Sequence, residues 1–458
     1  MDRECHSLIV ALFLLALGGC VMPEQRCELP EPRLLGRDVT AYMAPREPSD
    51  AAPAAPLPAE APGELTLRQA LGLALMGNPT LAASSWSVRA AEARALQASL
   101  RPNPELETEV ENVGGQGATH GVGAAETTLA LSQLVELGGK RASRVRVAQL
   151  EGTLAGWDYE AARLDALAET AKAFVRVLAA QERVALEEEL VSLAERGHQT
   201  VMEKLKSGKV SAVEGDKARV ELATSRIELA KARRELAARR KQLAATWGGA
   251  APAFDRAVGQ LDATPQIPSA EQLASCLAQN PDLARWAVEM QQREARLALE
   301  RTSRKPDLTL SGGVRYSNES NEGSFVVGVA VPLPLFDRNQ GGIREARAEV
   351  ARAREERRAA EAKLHADLAE AYEALASAHD EATALRADVL PGAQRAFDAA
   401  QEGYRQGKFG YLEVLDAQRT LFEARQKLIE ALASYHQAVA DVERLIGQSL
   451  ESVTKESK

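Results

Sequence analysis

The sequence predicts a mainly α-helical fold with a small β part, in which one unit of helix, β-hairpin and long helical hairpin is written twice. Three observations predict it. First, Asn78, Pro79, Glu92, Ala93, Arg94 and Pro104 return at one constant offset as Asn280, Pro281, Glu294, Ala295, Arg296 and Pro306. A second block, Gly208, Lys209, Glu214, Ala218, Leu222, Arg226 and Gly248, returns as Gly407, Lys408, Glu413, Ala417, Leu421, Arg425 and Gly447. A spacing of roughly 200 residues is far longer than a solenoid repeat and marks two fused copies of one large unit. Second, aromatic residues are only 4% and charged residues 26%, and Ala, Glu, Arg and Leu fill most stretches after residue 140. That is the composition of long helices rather than of a compact enzyme. Third, the hydrophobic period switches from helical to alternating at matched places in both copies.

The 458 residues are enough to bury ample core. A formal net charge of -9 argues against nucleic acid as a partner, because phosphate binding needs a basic face. Residues 1–19 read as a signal peptide: the apolar run from Leu8 to Leu17 is too short to span a bilayer and ends in small residues. Leu17, Gly18, Gly19 and Cys20 resemble the bacterial lipobox, which implies that Cys20 is lipidated and that Val21 after it favours sorting to the outer membrane. The n-region, with Asp2, Arg3 and Glu4, departs from that pattern, and a plain secretory signal is the alternative. Cys27 and Cys276 are then the remaining thiols of the mature chain, expected to stay unpaired, and no cysteine or histidine spacing suggests a metal site.

Residues 20–63, rich in Pro, Ala and Glu, read as an extended tether rather than a domain. The first repeat covers 64–250. A short helix from about Thr66 ends at the Asn78 and Pro79 break, and a second stops at Pro102 and Pro104, since the residue before a proline resists helix. Strands follow at about 104–113 and 121–132, then a proline-free helical hairpin at about 139–248 that turns near Ser207 to Val210. Its first arm, about 65 residues long, would reach roughly 100 Å. A linker at 251–268 leads to the second repeat, 269–448, with strands at about 306–317 and 323–333 and a helical hairpin at about 341–447. There Leu308, Leu310, Val314 and Tyr316 take one face and Thr309, Ser311, Arg315 and Ser317 the other; Phe325, Val327, Val329 and Val331 rejoin the apolar face until Pro332 and Pro334 end pairing. Pro391 should kink the outgoing arm without ending it. Residues 449–458 read as a disordered tail.

Four strands with one apolar face need partners. In a soluble protein that face would pack on helices; in an outer membrane it would face lipid, and strands of about ten residues have the length to cross a bilayer when tilted. The long helices likewise need neighbours to bury their stripes, across chains if not within one.

Over residues 64 to 448 the chain resembles the TolC-like outer membrane efflux proteins. The motifs that carry the resemblance are Asn103, Pro104, Glu105, Leu106 through Glu109, Val110, Glu111, Asn112; Leu131, Ser132, Gln133; and Leu137, Gly138, Gly139, Lys140, Arg141, which look like the heavy-metal, CzcC-like branch. Tyr404, Gly407, Leu412, Val414, Leu415, Asp416, Ala417, Gln418 and Leu421 match the family's helix-turn-helix tip. The resemblance implies a homotrimer whose twelve strands close an outer-membrane β-barrel, continued by a periplasmic α-helical barrel. It also implies a passive duct that receives substrate, heavy-metal cations for this branch, from an inner-membrane RND-type transporter through a periplasmic adaptor (membrane fusion) protein.

The resemblance places a periplasmic gate at Tyr404, Glu413 and Asp416, where acidic rings around a three-fold axis would favour cations. A solvated charged helix face is the bland reading of the same residues. The first copy has Glu214 and Lys217 at the acidic positions, so the pair is not duplicated. Adaptor docking is expected at the two turns, Gly208, Lys209, Val210 and Ser211 and Gly407, Lys408, Phe409 and Gly410, where glycines also have a purely structural use. Glu105, Glu107, Glu109 and Glu111 would line a lumen with carboxylates, or simply wet it. No phosphate loop, nucleophile elbow or metal-binding HExxH helix is present, so no catalytic residue and no cofactor is expected. The rival to a channel is a lipid-anchored periplasmic coiled-coil scaffold or pump adaptor. Such a protein has no use for two membrane-length strand pairs, and an adaptor would flank a single helical hairpin with biotinyl-like β-domains.

Overall fold

The computed structural model describes residues 27–46, 60 and 62–456; residues 1–19 and Cys20 lie outside the described residues. In chain order the elements are β1 (Gly63–Thr66), α1 (Leu67–Gly77), α2 (Pro79–Ser99), β2 (Glu105–Glu111), β3 (Glu126–Val135), α3 (Lys140–Lys206) and α4 (Ala212–Ala245). There follow β4 (Phe254–Val258), α5 (Ala270–Cys276), α6 (Pro281–Ser303), β5 (Leu308–Ser317), β6 (Glu322–Ala330), α7 (Gln340–Ala384), α8 (Leu390–Arg405), α9 (Tyr411–Ile446) and α10 (Leu450–Glu456). The chain is mainly helical with some sheet. By contact it divides into two units, and the long helices contribute to both.

The first unit, built from residues 27–29, 90–153 and 289–351, contains one antiparallel sheet in the order β2-β3-β5-β6. The two hairpins therefore join edge to edge: Val135 on β3 pairs with Leu308 on β5, and the register continues to Glu126 opposite Ser317. Strand β3 begins at Glu126, later than the alternation alone suggests. The preceding residues are taken up by a 3-10 turn at Gly117–Thr119 and by Gly121 in the left-handed region.

The second unit, residues 30–89, 154–288 and 352–458, holds most of the buried core. Phe174, Leu178, Leu243, Trp247, Phe254 and Leu261 form one cluster with Leu65 and Leu73. Tyr435, Val442, Leu445 and Ile446 on α9 pack against Leu364, Leu368 and Leu375 on α7 in another. The second joins the apolar stripes of two helices, whereas the first also takes Leu65 and Phe254 from strands β1 and β4.

The echo in the sequence becomes an echo of bonds. Asn78 Oδ1 accepts from Leu81 N at 2.9 Å and caps α2, while its Nδ2 donates to Thr246 O at 2.9 Å. Asn280, wholly buried, accepts from Asp282 N at 2.7 Å and from Leu283 N at 3.3 Å, and donates to Leu445 O at 2.8 Å. One asparagine thus supplies an N-cap to the incoming helix and fills an orphan carbonyl at the end of the returning one. The glycine after each of those ends, Gly248 at φ 76° and Gly447 at φ 71°, turns the chain away.

Several sequence expectations need correction. Residues 30–46, read as a free tether, lie packed on the helices. Arg163 and Glu160 form an ion pair with each side chain only 4% exposed; Arg33 N donates to Glu160 at 2.7 Å, and Arg163 donates to Leu35 O and Arg33 O at 2.9 and 3.1 Å. Further along, Tyr42 N bonds Leu75 O, Tyr159 Oη bonds Tyr42 O, and Ala44 N bonds Ser85 Oγ. The linker holds β4, which pairs in parallel with β1, Phe254 opposite Gly63. The supposed disordered tail contains α10, because Leu450 and Val453, three apart, both bury. Pro391 follows a π-turn, Leu385–Val389, between α7 and α8; the helix absorbs the missing N–H by adding a residue to one turn. Cys27, buried, and Cys276, half-buried, are both free thiols.

Candidate functional site

The tips of the two helical hairpins are built alike. Gly208 at φ 69° and Gly407 at φ 72° take the left-handed conformation that only glycine adopts without strain. Around each, the following lysine N–H bonds back five residues, Lys209 to Lys204 O at 2.9 Å and Lys408 to Gly403 O at 2.8 Å, while the glycine N–H bonds back three. Both tips are therefore complete Schellman caps. Lys209, Ser211, Lys408 and Gly410 are exposed. The tips differ in their apolar residue: Val210 is tucked against the core below, whereas Phe409 lies half-exposed over Gly403, where a side chain would collide with its ring.

Tyr404 ends the buried stripe of α8, after Ala393, Phe397 and Ala400. The Lys204 ammonium sits 3.6 Å above its ring and donates to its carbonyl at 3.2 Å, and the Tyr411 ring lies 5.7 Å away. The Tyr404 hydroxyl and Glu214 Oε2 are both buried with no hydrogen-bond partner among the described residues. Burial pushes the Tyr404 phenol up, and the Glu214 charge adds to it. Burial likewise pushes Tyr411 up to about 12, with help from Glu221 and Tyr404. Both phenols are therefore neutral across the physiological range.

Glu413 and Asp416 do not meet Tyr404. They are exposed on the first turns of α9, off its buried stripe of Tyr411, Val414, Gln418 and Leu421. Neither makes an ion pair among the described residues. The tyrosine's neighbours, Lys204 and Glu214, belong to the first copy; only Glu214 left a signal in the sequence, as the repeat partner of Glu413.

On the sheet, register sorts the two faces. Glu105, Glu107, Glu109 and Glu111 stand opposite Ser132, Ala130, Thr128 and Glu126, and these in turn stand opposite Ser311, Gly313, Arg315 and Ser317. Arg315 binds Glu111 at 3.1 Å, Glu126 at 3.2 Å and Thr128 Oγ1 at 2.9 Å across three strands. The remaining carboxylates, Glu105, Glu107 and Glu109, are exposed. The opposite face carries Leu106, Val110, Leu129, Leu310, Val314, Phe325, Val327 and Val329, all 44 to 83% exposed. A contiguous apolar surface of that size on a sheet marks an interaction face. The outer edges of β2 and β6 have no strand partner among the described residues. No group of three or more His, Cys, Asp or Glu is placed to hold a metal ion among the described residues.

A family profile described as "Outer membrane efflux protein" matches residues 70–249 and 273–448. The chain is 40% identical over 341 residues to the cobalt-zinc-cadmium resistance protein CzcC of Cupriavidus metallidurans, covering 74% of this chain and 80% of that one. It is 33% identical to the nickel and cobalt resistance protein CnrC of the same organism, covering 70% of this chain and 73% of the relative. Among solved structures, CusC superposes with a TM-score of 0.71 at 20% identity, covering 88% of this chain and 99% of CusC, and so shares its fold. The duplicated helical hairpins, the four-stranded sheet and these matches agree: the chain belongs to the outer membrane efflux protein family.

Proposed function

We propose that this protein is one of three identical subunits of the outer-membrane exit duct of a tripartite efflux pump, conducting divalent heavy-metal cations passively out of the cell. The observation that carries the reading is the register-locked sheet. One face is apolar and exposed, the other holds Glu105, Glu107, Glu109 and Glu111 with the Glu111–Arg315–Glu126 network, and both edges are open. Four strands per chain and three chains close a barrel of twelve, which leaves no edge unpaired in lipid and turns the acids toward a wet lumen. Metal cations are favoured by the carboxylate-lined face and by the resistance named for CzcC and CnrC.

In this reading Cys20 carries the lipid anchor, and the tips at Gly208, Lys209, Val210, Ser211 and Gly407, Lys408, Phe409, Gly410 dock a periplasmic adaptor that links the duct to an inner-membrane RND-type transporter. Phe409, exposed beside a lysine, is the natural hydrophobic anchor of such a contact. Glu413 and Asp416, exposed and unpaired in a single chain, form acidic rings when three copies meet at the axis. Tyr404, wedged between Lys204 and Tyr411, holds the inner hairpin against the outer one. The test is single-channel conductance of the detergent-extracted protein in planar bilayers. A trimer that dissociates on boiling and conducts cations is expected, with larger conductance for Glu413→Ala and Asp416→Ala. A protein that stays monomeric and dissolves without detergent overturns the duct; unchanged conductance and selectivity in both variants overturn the gate.

A further inference from the structure

At the helical end of the sheet the two copies part company. After β6 the chain runs Val331, Pro332, Leu333, Pro334, Leu335, Phe336, with Leu333 74%, Leu335 63% and Phe336 90% exposed. Beside this run lies an open groove of about 450 Å³ lined by Arg304, Arg338, Arg344 and Arg347 with Leu335, Phe336 and Ile343; no acidic side chain lines it. None of the four arginines has a carboxylate partner among the described residues. The Arg338 guanidinium is held by backbone carbonyls, Pro334 O at 3.2 Å and Leu335 O at 3.3 Å, which fix its place without cancelling its charge.

The first copy is the internal control. Helices α3 and α7 start 200 residues apart, at Lys140 and Gln340, each after a residue in the left-handed region, Gly139 and Asn339. Subtracting 200 sets Arg344 against Arg144, Phe336 against Glu136, Arg338 against Gly138 and Arg347 against Val147. In the first copy Arg144 is closed off by Glu136 through two bonds of 2.6 and 3.1 Å, and Lys140 by Asp307 at 2.8 Å. The second copy replaces the neutralising glutamate by an exposed phenylalanine and sets arginines at 338 and 347, where the first copy has Gly138 and Val147. A cluster of four cations at the end of an apolar face is self-repelling without a counter-charge, and guanidinium groups match phosphate oxygens in bidentate geometry.

We propose that Arg304, Arg338, Arg344 and Arg347 bind the phosphate headgroup of an anionic phospholipid on the helical side of the membrane, with Leu333, Leu335 and Phe336 laid along its acyl chains. This rests on the reading of the sheet as a membrane barrel wall, which puts residue 331 at the interface where such headgroups lie. Each arginine near a charged membrane surface changes anionic lipid binding by about fivefold.

The experiment reconstitutes the full-length trimer in bilayers of equal phosphatidylglycerol and phosphatidylcholine, strips free lipid with detergent and measures what the protein retains. The native protein is expected to retain phosphatidylglycerol preferentially, and R344Q/R347Q to lower the ratio about 25-fold. The single R347Q variant, altering an exposed side chain, should lower it about fivefold and serves if the double variant fails to assemble. A native ratio near one, or an unchanged ratio in a variant that still forms trimers, overturns the proposal; a neighbouring subunit seating carboxylates on the arginines would give that result. Conductance of the same samples separates the two readings. Conducting trimers without lipid preference sink only the lipid site, whereas absent trimers sink the barrel.

Discussion

Replacing Arg163 by Met tests how the strap formed by residues 30–46 is held on the helices. The Arg163 guanidinium makes bonds of 2.9 and 2.7 Å to Glu160 and of 2.9 and 3.1 Å to Leu35 O and Arg33 O, in a site where both charged side chains are only 4% exposed. Methionine fills similar volume but leaves the Glu160 carboxylate buried with Arg33 N as its remaining donor. Stranding one member of a buried pair costs about 3–5 kcal/mol, and each lost hydrogen bond to a strap carbonyl about 1 more. The strap can escape the penalty by detaching, so the loss should appear as local opening of residues 33–44 before global unfolding. Hydrogen exchange of the Leu35, Tyr42 and Ala44 amides, which bond Gly447 O, Leu75 O and Ser85 Oγ, reads this directly. At 1.4 kcal/mol per tenfold, the summed loss of about 5–7 kcal/mol should accelerate exchange between a few thousandfold and about a hundred-thousandfold. Adding Glu160→Gln removes the stranded charge and should recover most of the loss. Exchange unchanged by Arg163→Met, or a double variant no better than the single, would refute the account of the strap.

Asn280→Ala should cost about 2–4 kcal/mol, an N-cap plus an orphaned carbonyl at Leu445, measured as a fall in melting temperature; Asn78→Ala, less buried, should cost less. Gly407→Ala places a side chain at φ 72° and should destabilise the tip by about 1 kcal/mol, visible as faster local proteolysis there. Glu443, which accepts from Leu450 N, is pushed up to about 7 by burial, with Glu451 adding to it. Its folded pKa lies above the unfolded one, so its contribution is fully present below about pH 4.3 and is lost as pH rises through 7. Glu443→Gln should therefore flatten the decline in stability between pH 5 and 8, worth on the order of 2 kcal/mol, in melts at a series of pH values. A variant that declines in parallel with the native chain would contradict it.

What was legible in the sequence was what is local or repeated. Alternation gave the two faces of the sheet because side chains on a strand must alternate, and Pro332 and Pro334 gave its end. The matched Asn78 and Asn280 marked the hinges without revealing that each also reaches across to a carbonyl some 165 residues away. What stayed hidden is non-local. Strands β1 and β4 are four and five residues long, too short to show a period, and pair in parallel across the whole first repeat. The strap's proline-rich, polar sequence reads as a tether because its partners, Glu160 and Arg163, sit on a distant helix. At the tip, family likeness grouped Tyr404 with Glu413 and Asp416, whereas the helical stripe of α8 turns Tyr404 toward Lys204 and Glu214 instead. Residues close in sequence lie on different faces when a cap intervenes.

The central claim, that this sheet becomes a membrane barrel wall with a charged lumen, is tested most directly by nitroxide labels placed one at a time along β6 in the reconstituted trimer. The register predicts that labels at Phe325, Val327 and Val329 collide with oxygen dissolved in lipid, while those at Ser324, Val326 and Gly328 collide with a water-soluble nickel reagent. Accessibility that fails to alternate, or alternates in the opposite phase, would contradict it.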